Sequence, residues 1–436
     1  MKKKLLFLLT LIALLCALCF CASAAVHSGG SHYDERPDYP NDPRVKLIDG
    51  VAYEPRGYSY NYKTNEVTDV REYWVIDYFA TNKLAKTATE INIVPEIDGV
   101  PVTQIVARYN PNTRCETVTK LTIPDSVTHI EHLFLFSSLE TVKLPESLVL
   151  LGDRCFARME NLKEIALPKG LTSIPRNCFR ACNNLETVTF LGDAVKTIGA
   201  NAFYGCKQLT NIDLPFTVGS IGNGAFAKSG ITHLGLSGNC KLPTESSSYG
   251  DTVPAFYACK NLKEVYFEGD SIFNIHSSAY IPHDTFKNCT ALQKVTLPIA
   301  RHLTVGEHAF LNCKALETVV NSEFIEFAPA GAFQNCVSLQ KITIGNWADR
   351  IGKDTFKGCT GLKKLILKTD NVLLFDARYP RYDRNWTGNF LRHVPKSCRV
   401  YVPNDTMQQA VVSHGFTGKV IVREMRDLAM TDNDRV

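Results

Sequence analysis

Seven cysteines recur at a nearly constant interval: Cys182, Cys206, Cys259, Cys289, Cys313, Cys336 and Cys359. Thiolates are nucleophiles and soft metal ligands, so a repeated cysteine is the first residue type to test for chemistry. A zinc site needs ligands clustered with hydrogen-bonding partners behind them. These cysteines fall in separate segments, each flanked by Phe and Leu, which argues against a metal centre. His129-Ile-Glu-His132 comes nearest to a metalloprotease helix, but neither H-E-x-x-H nor its inversion fits the order of residues. The sequence contains no G-x-S-x-G elbow, P-loop or dinucleotide fingerprint. No cofactor or metal is expected.

Each of these cysteines stands three residues after a phenylalanine. The series Phe156, Phe179, Phe203, Phe226, Phe256, Phe286, Phe310, Phe333 and Phe356 has spacings of 23, 24, 23, 30, 30, 24, 23 and 23 residues. Met159 and Ser229 take the cysteine's place in the two remaining members. A leucine follows three residues later, from Leu162 to Leu362, with Ile231 one place early in a single member. Self-similarity at this period is the signature of a stacked-coil solenoid, in which no coil buries enough to fold alone.

Within a coil such as Leu162 to Cys182, Ile165 and Leu167 alternate with polar residues, which predicts a short half-buried strand. Pro168 lacks a ladder N–H and ends it, as Pro145, Pro215 and Pro298 do elsewhere. A second apolar pair follows (Leu171 and Ile174), and the Phe-x-x-Cys-x-x-Leu spacing predicts one or two helical turns with the apolar residues inward. The cysteines then read as buried apolar fillers, mainly free thiols. Stacked coils bring equivalent Cα atoms within disulfide range, but parallel Cβ directions are poor disulfide geometry.

The flanking segments are different. Residues 1–24 read as a signal peptide: Lys2, Lys3 and Lys4 precede an apolar run from Leu5 to Phe20, and Ala22-Ser23-Ala24 supplies a cleavage site. The apolar run is short for a membrane span. Bulky Leu15, Leu18 and Phe20 ahead of Cys16, Cys19 and Cys21 argue against lipidation. Residues 25–42 are rich in Ser, Gly, His, Pro and Asp and are expected to be a disordered linker. Residues 43–88 hold strand patterns without the phenylalanine column and are expected to cap the first coil. Repeats are expected over 89–395, and a C-terminal cap and tail over 396–436.

Loss of the three leader lysines takes the formal charge from +4 to +1. A nearly neutral chain without a basic run makes nucleic acid a poor candidate partner. No span is expected in the mature chain, and a monomer is expected.

The coil pattern resembles the BspA-like (Treponema pallidum-type) leucine-rich repeats of bacterial surface proteins, L-x-x-h-x-L-P-x-x-h-x-x-I-x-x-x-A-F-x-x-C. Leu139 to Leu167, Leu185 to Leu214, Leu292 to Leu316 and Leu339 to Leu362 match it, and Ile91 to Ile105 is similar to the family's first repeat. The resemblance implies an α/β solenoid: a leucine-rich repeat stack of about 12 coils of ~23 residues, each a short parallel strand plus helical turns, between two caps. It further implies a secreted or cell-surface protein that recognises host or neighbouring-cell surface proteins or glycans, with no shared catalytic residues.

Insertions in repeat arrays map to loops, often on the binding face. Two coils run about seven residues longer than the rest, with the additions within Ser237 to Pro254 and Glu268 to Asp284, and Lys368 to Asn389 is irregular. Their aromatics Tyr249, Phe273, Tyr280, Tyr379, Tyr382 and Trp386 are candidate contacts, joined by Tyr266 at an outward strand position. The enzymatic rival is a parallel β-solenoid acting on polysaccharide, which would need acidic residues converging on one strand column. The outward pairs Glu140/Lys143, Lys163/Glu164, Lys263/Glu264 and Lys363/Lys364 mix signs instead. A surface-layer component without its own ligand is the third possibility.

Overall fold

The computed structural model describes residues 44–61, 63–64, 66–77, 87–106, 116–131, 133, 136–243, 253–268, 278–375, 389–425 and 427. The expected signal peptide and linker lie outside them. Residues 44–436 form one compact unit.

Each coil of the stack has three sides. In the coil beginning at Leu162, the strand Glu164–Leu167 alternates exposed and buried residues, Pro168 ends it, and a second strand, Ser173–Ile174, follows. Both pair in parallel with the next coil: Glu164 and Ile165 sit beside Thr187 and Val188, and Ile174 beside Ile198. The matched register places each side chain beside its equivalent, so every apolar column becomes continuous. The first-strand column recurs through Glu264–Glu268, Lys294–Thr296 and Thr318–Val320. The second-strand column recurs through Ser278–Ile281, His302–Val305, Ile325–Ala328 and Arg350–Ile351. The structure therefore shows the leucine-rich repeat solenoid that the period implies.

The third side differs from the expected helical turns. Asn177 and Ala181, two residues before and after Phe179, have φ of 55° and 59°, in the left-handed region. Arg154 and Arg158 flank Phe156 in the same way, as Asn201 and Gly205 flank Phe203. A helix consumes all its interior N–H groups internally. Here left-handed residues break the run into tight turns, and alternate N–H groups face outward along the stack. Arg180 and Cys182 donate within the turn, at 3.0 and 3.1 Å, whereas Asn177, Phe179 and Ala181 each donate at 2.8 Å to the next coil. The turn column is thus a third hydrogen-bonded ladder, which satisfies backbone groups that would otherwise be buried unpaired.

Nine phenylalanines fill the centre, none more than 1% exposed. Neighbouring rings stack with centroids 5.0 Å apart from Phe156 to Phe179 and 5.2 Å from Phe310 to Phe333, with planes within 2° and 1°. Isolated rings favour offset or edge-on contact, so this spacing is imposed by the backbone ladder, whose natural repeat is just under 5 Å. The two long coils do not interrupt the column: Phe226 to Phe256 is 5.6 Å and Phe256 to Phe286 is 5.2 Å. Phe390 ends the stack by meeting Phe356 edge-on at 6.0 Å and 72°.

At the N-terminal end, Lys46–Ile48 pairs antiparallel with Val51–Arg56 around the Asp49-Gly50 turn, and Val51–Arg56 pairs antiparallel with Glu72–Asp77. Glu72–Asp77 then pairs in parallel with Val100–Ile105 and so joins the second-strand column. At the other end, Arg399–Val402 continues the first-strand column, and a helix, Asp405–Ser413, crosses to the parallel strand Lys419–Val422. The side chain of Asn404 caps that helix by accepting from the Met407 N–H at 2.8 Å, and Met407 and Val411 fix its inner face.

Candidate functional site

The described thiols of the repeat are shielded from solvent. The described cysteines are all unpaired thiols, and all but Cys240 are buried. Those of the repeat donate to a backbone carbonyl one coil back, as Cys182 does to Phe156 at 3.0 Å and Cys359 to Phe333 at 3.1 Å. Burial pushes the Cys182 and Cys359 thiols up to about 12, far from a reactive thiolate. No group of three metal-ligating side chains occurs among the described residues. His129 lies on the short strand His129–Ile130 rather than a helix, with its Nδ1 2.7 Å from Thr128 Oγ1, and burial holds its pKa down. His132 lies outside the described residues.

The first-strand face is a ladder of opposite charges. Glu90 meets Lys120 at 3.1 Å, Glu140 meets Lys163 at 2.8 Å and Glu264 meets Lys294 at 2.7 Å, each across adjacent coils. Tyr266, an outward aromatic of this face, pairs with Gly235 on one side and Thr296 on the other. A Cβ at Gly235 would sit 2.7 Å from the Tyr266 ring, so the missing side chain lets that ring lie down over the neighbouring strand. Tyr280 belongs to the second-strand column, so these two expected contact residues stand on different sheets. Tyr249, Phe273, Tyr379, Tyr382 and Trp386 lie outside the described residues.

The second-strand face around Tyr280 gathers aromatic and cationic groups that no single segment of sequence announces. Register places Tyr280 beside Thr304, Thr304 beside Phe327 and Phe327 beside Arg350, in one row across four coils. The Arg350 guanidinium lies 5.6 Å from the Phe327 ring centre and is held by Asp349 at 3.2 Å. At the corner where this face begins, Arg301 reaches past the intervening coil to lie 5.3 Å from the Trp347 ring centre. Trp347 remains 47% exposed. Between these two pairs, His302 Nδ1 and Glu326 Oε2 meet at 2.6 Å. Tyr280 also meets His283 edge-on at 6.3 Å. Guanidinium groups over aromatic faces hold both partners in fixed orientation.

Only Tyr280 of this set stands out in the sequence. Strand alternation would have placed Phe327 inward, two residues after inward Ile325, and only the local register shift brings it to the outer face. Trp347 sits in a turn between strands, where the repeat pattern prescribes nothing.

Residues 112–232, 191–280 and 279–374 match the model of a family described as the BspA type leucine rich repeat region (6 copies). Among solved structures, the chain is similar to a leucine-rich repeat protein from Bacteroides ovatus, at 20% identity over 87% of this chain and 100% of that one, with a TM-score of 0.49. It is also similar to a leucine rich cell surface protein from Faecalibacterium prausnitzii, at 20% identity over 90% and 98% of the two chains, with a TM-score of 0.39. The leucine rich repeat protein of T. pallidum matches at 16% identity over 59% and 86%, with a TM-score of 0.33. No curated protein matches.

Proposed function

This chain belongs to the BspA-type leucine-rich repeat family, and on that premise we propose that it is a non-catalytic recognition protein, secreted or held at the cell surface. Its second-strand face binds a protein on a host or neighbouring cell. The observation that carries this reading is the pair of stacks, Arg301 on Trp347 at the corner and Arg350 on Phe327 in the row that holds Tyr280. Trp, Tyr and Arg are the residues in which binding energy concentrates at protein interfaces. Phe327 lies on a strand paired on both sides, so the backbone ladder presents it without a large ordering cost. The aromatics Tyr249, Phe273, Tyr382 and Trp386 are further contacts under this proposal.

The polysaccharide-cleaving alternative draws little support. The carboxylates Glu140 and Glu264 of the first-strand face are engaged by lysines of neighbouring coils rather than by each other, whereas glycoside hydrolysis needs two carboxyl groups held apart for acid and base work. The test is binding of the mature chain to an array of immobilised host matrix and cell-surface proteins. For a protein that binds, a Trp347→Ala, Arg350→Ala double variant is expected to weaken affinity by about 30-fold or more with an unchanged melting curve. Undiminished binding by that variant removes the face from the proposal, and hydrolysis of any member of a polysaccharide panel removes the non-catalytic reading.

A further inference from the structure

The turn column carries charge in a way that the first-strand face does not. Hydrogen bonds from Arg154 N to Arg176 O at 2.9 Å and from Arg158 N to Arg180 O at 2.8 Å set two arginine pairs side by side on adjacent coils. The coils themselves are only 5.0 Å apart at their stacked phenylalanines. Like charges at such positions work against folding, and opposite charges would help it. The first-strand ladder of Glu90–Lys120, Glu140–Lys163 and Glu264–Lys294 shows that this chain uses opposite charges elsewhere. On the turn column no described carboxylate forms an ion pair with Arg154, Arg158 or Arg180.

The strip continues along the stack. Ala181 N donates to Tyr204 O at 2.8 Å, and Lys228 N to Tyr257 O at 3.0 Å, which fixes the order from arginines to tyrosine to lysine. Tyr204 is clamped between two cations, with the Arg180 guanidinium 4.8 Å and the Lys228 ammonium 5.4 Å from its ring centre. The ring lies within reach of both charges. Arg154, Arg158 and Lys228 are exposed. A nearly neutral chain has therefore collected four cations without an ion pair, Arg154, Arg158, Arg180 and Lys228, from three coils onto one face.

We propose that this turn face binds a linear anionic polysaccharide, carrying sulfate or uronate groups, laid along the stack so that successive acid groups meet successive coils. Guanidinium forks match planar carboxylate and sulfate oxygens, and a line of cations at coil spacing suits an extended polyanion better than a compact one. The choice of polysaccharide over nucleic acid rests on the extracellular reading above; the cationic strip itself does not.

Arg154 and Arg158 have φ of 62° and 61°, which asparagine tolerates better than arginine. The Arg154→Asn, Arg158→Asn variant therefore removes the charges while keeping the backbone. It is expected to melt no lower than the parent, since like charges are removed. Retention of the full mature chain on immobilised heparin and on alginate is measured against a neutral dextran, with single-stranded DNA as competitor. The parent is expected to be retained on both anionic supports, to be released by salt, and to bind at least tenfold tighter than the variant. Lys228→Gln is expected to weaken retention in the same direction. Equal retention of parent and variants overturns the site, and displacement by single-stranded DNA at lower charge concentration than by free heparin overturns the polysaccharide assignment. The Trp347→Ala, Arg350→Ala variant should keep full retention, which separates failure here from failure of the protein-binding reading.

Discussion

The thiol of Cys313 donates to the carbonyl oxygen of Phe286, one coil earlier, at 3.2 Å. Cys206 does the same to Phe179 at 3.1 Å and Cys336 to Phe310 at 3.3 Å. The position asks for a small side chain, apolar enough for a dry core, with one weak donor for a carbonyl. Cysteine meets all three conditions. Cys313→Ala should lower stability by about 1–2 kcal/mol through a small cavity and a lost hydrogen bond, as read by chemical denaturation. An unchanged midpoint would mean that the thiol contributes neither.

Phe310 lies between Phe286 at 5.3 Å and Phe333 at 5.2 Å, with no exposed surface. Phe310→Ala opens a void bounded by two rings that the backbone ladders hold in place, so the site cannot collapse. The expected loss is roughly 3–5 kcal/mol. Melting like the parent would contradict the central stack.

The buried thiols make stability depend on alkaline pH. Burial raises Cys182 and Cys359 from 9.0 to about 12, so the folded chain keeps those protons where the unfolded chain releases them. Their contribution is complete below about pH 9 and is lost as pH rises toward 12, at about 1.4 kcal/mol per pH unit for each thiol. Thermal melts in reductant between pH 8 and 10.5 should fall steeply. A Cys182→Ala, Cys359→Ala variant should show a shallower slope, and identical slopes would rule out this origin.

Ala181 occupies a left-handed position, with φ of 59°, that Gly205 fills one coil later with φ of 74°. An L-residue with a Cβ bears a penalty there that glycine avoids. Ala181→Gly is expected to stabilise by up to about 1 kcal/mol. At the equivalent Asn312 the side chain bonds Asn288 at 2.8 Å and Asn335 at 2.9 Å. Asn312→Gly should therefore destabilise despite its backbone freedom, and opposite signs for the two glycine substitutions are the measurement to make.

The fold was legible because a solenoid reuses one solution. The Phe, Cys and Leu columns point inward in every coil, and a spacing of 23 residues writes that fact into the chain. The turn geometry was half legible: Asn177, Asn201 and Gly205 are residues that favour left-handed backbone, but Arg154, Ala181 and Lys228 adopt it without signalling it. They do so because each ladder bond to the next coil outweighs the local strain.

Period and inward composition, then, were determined by the sequence alone, since burying an apolar column needs only the right residue at the right interval. The outward neighbours were decided by tertiary structure. Arg301 and Trp347 meet across a coil that separates them, and Arg154 and Arg176 become adjacent only once two coils are stacked in register. Surface side chains carry no burial constraint to betray their position. Their contacts follow from coil rise, corner geometry and insertion placement, which are properties of the assembled stack.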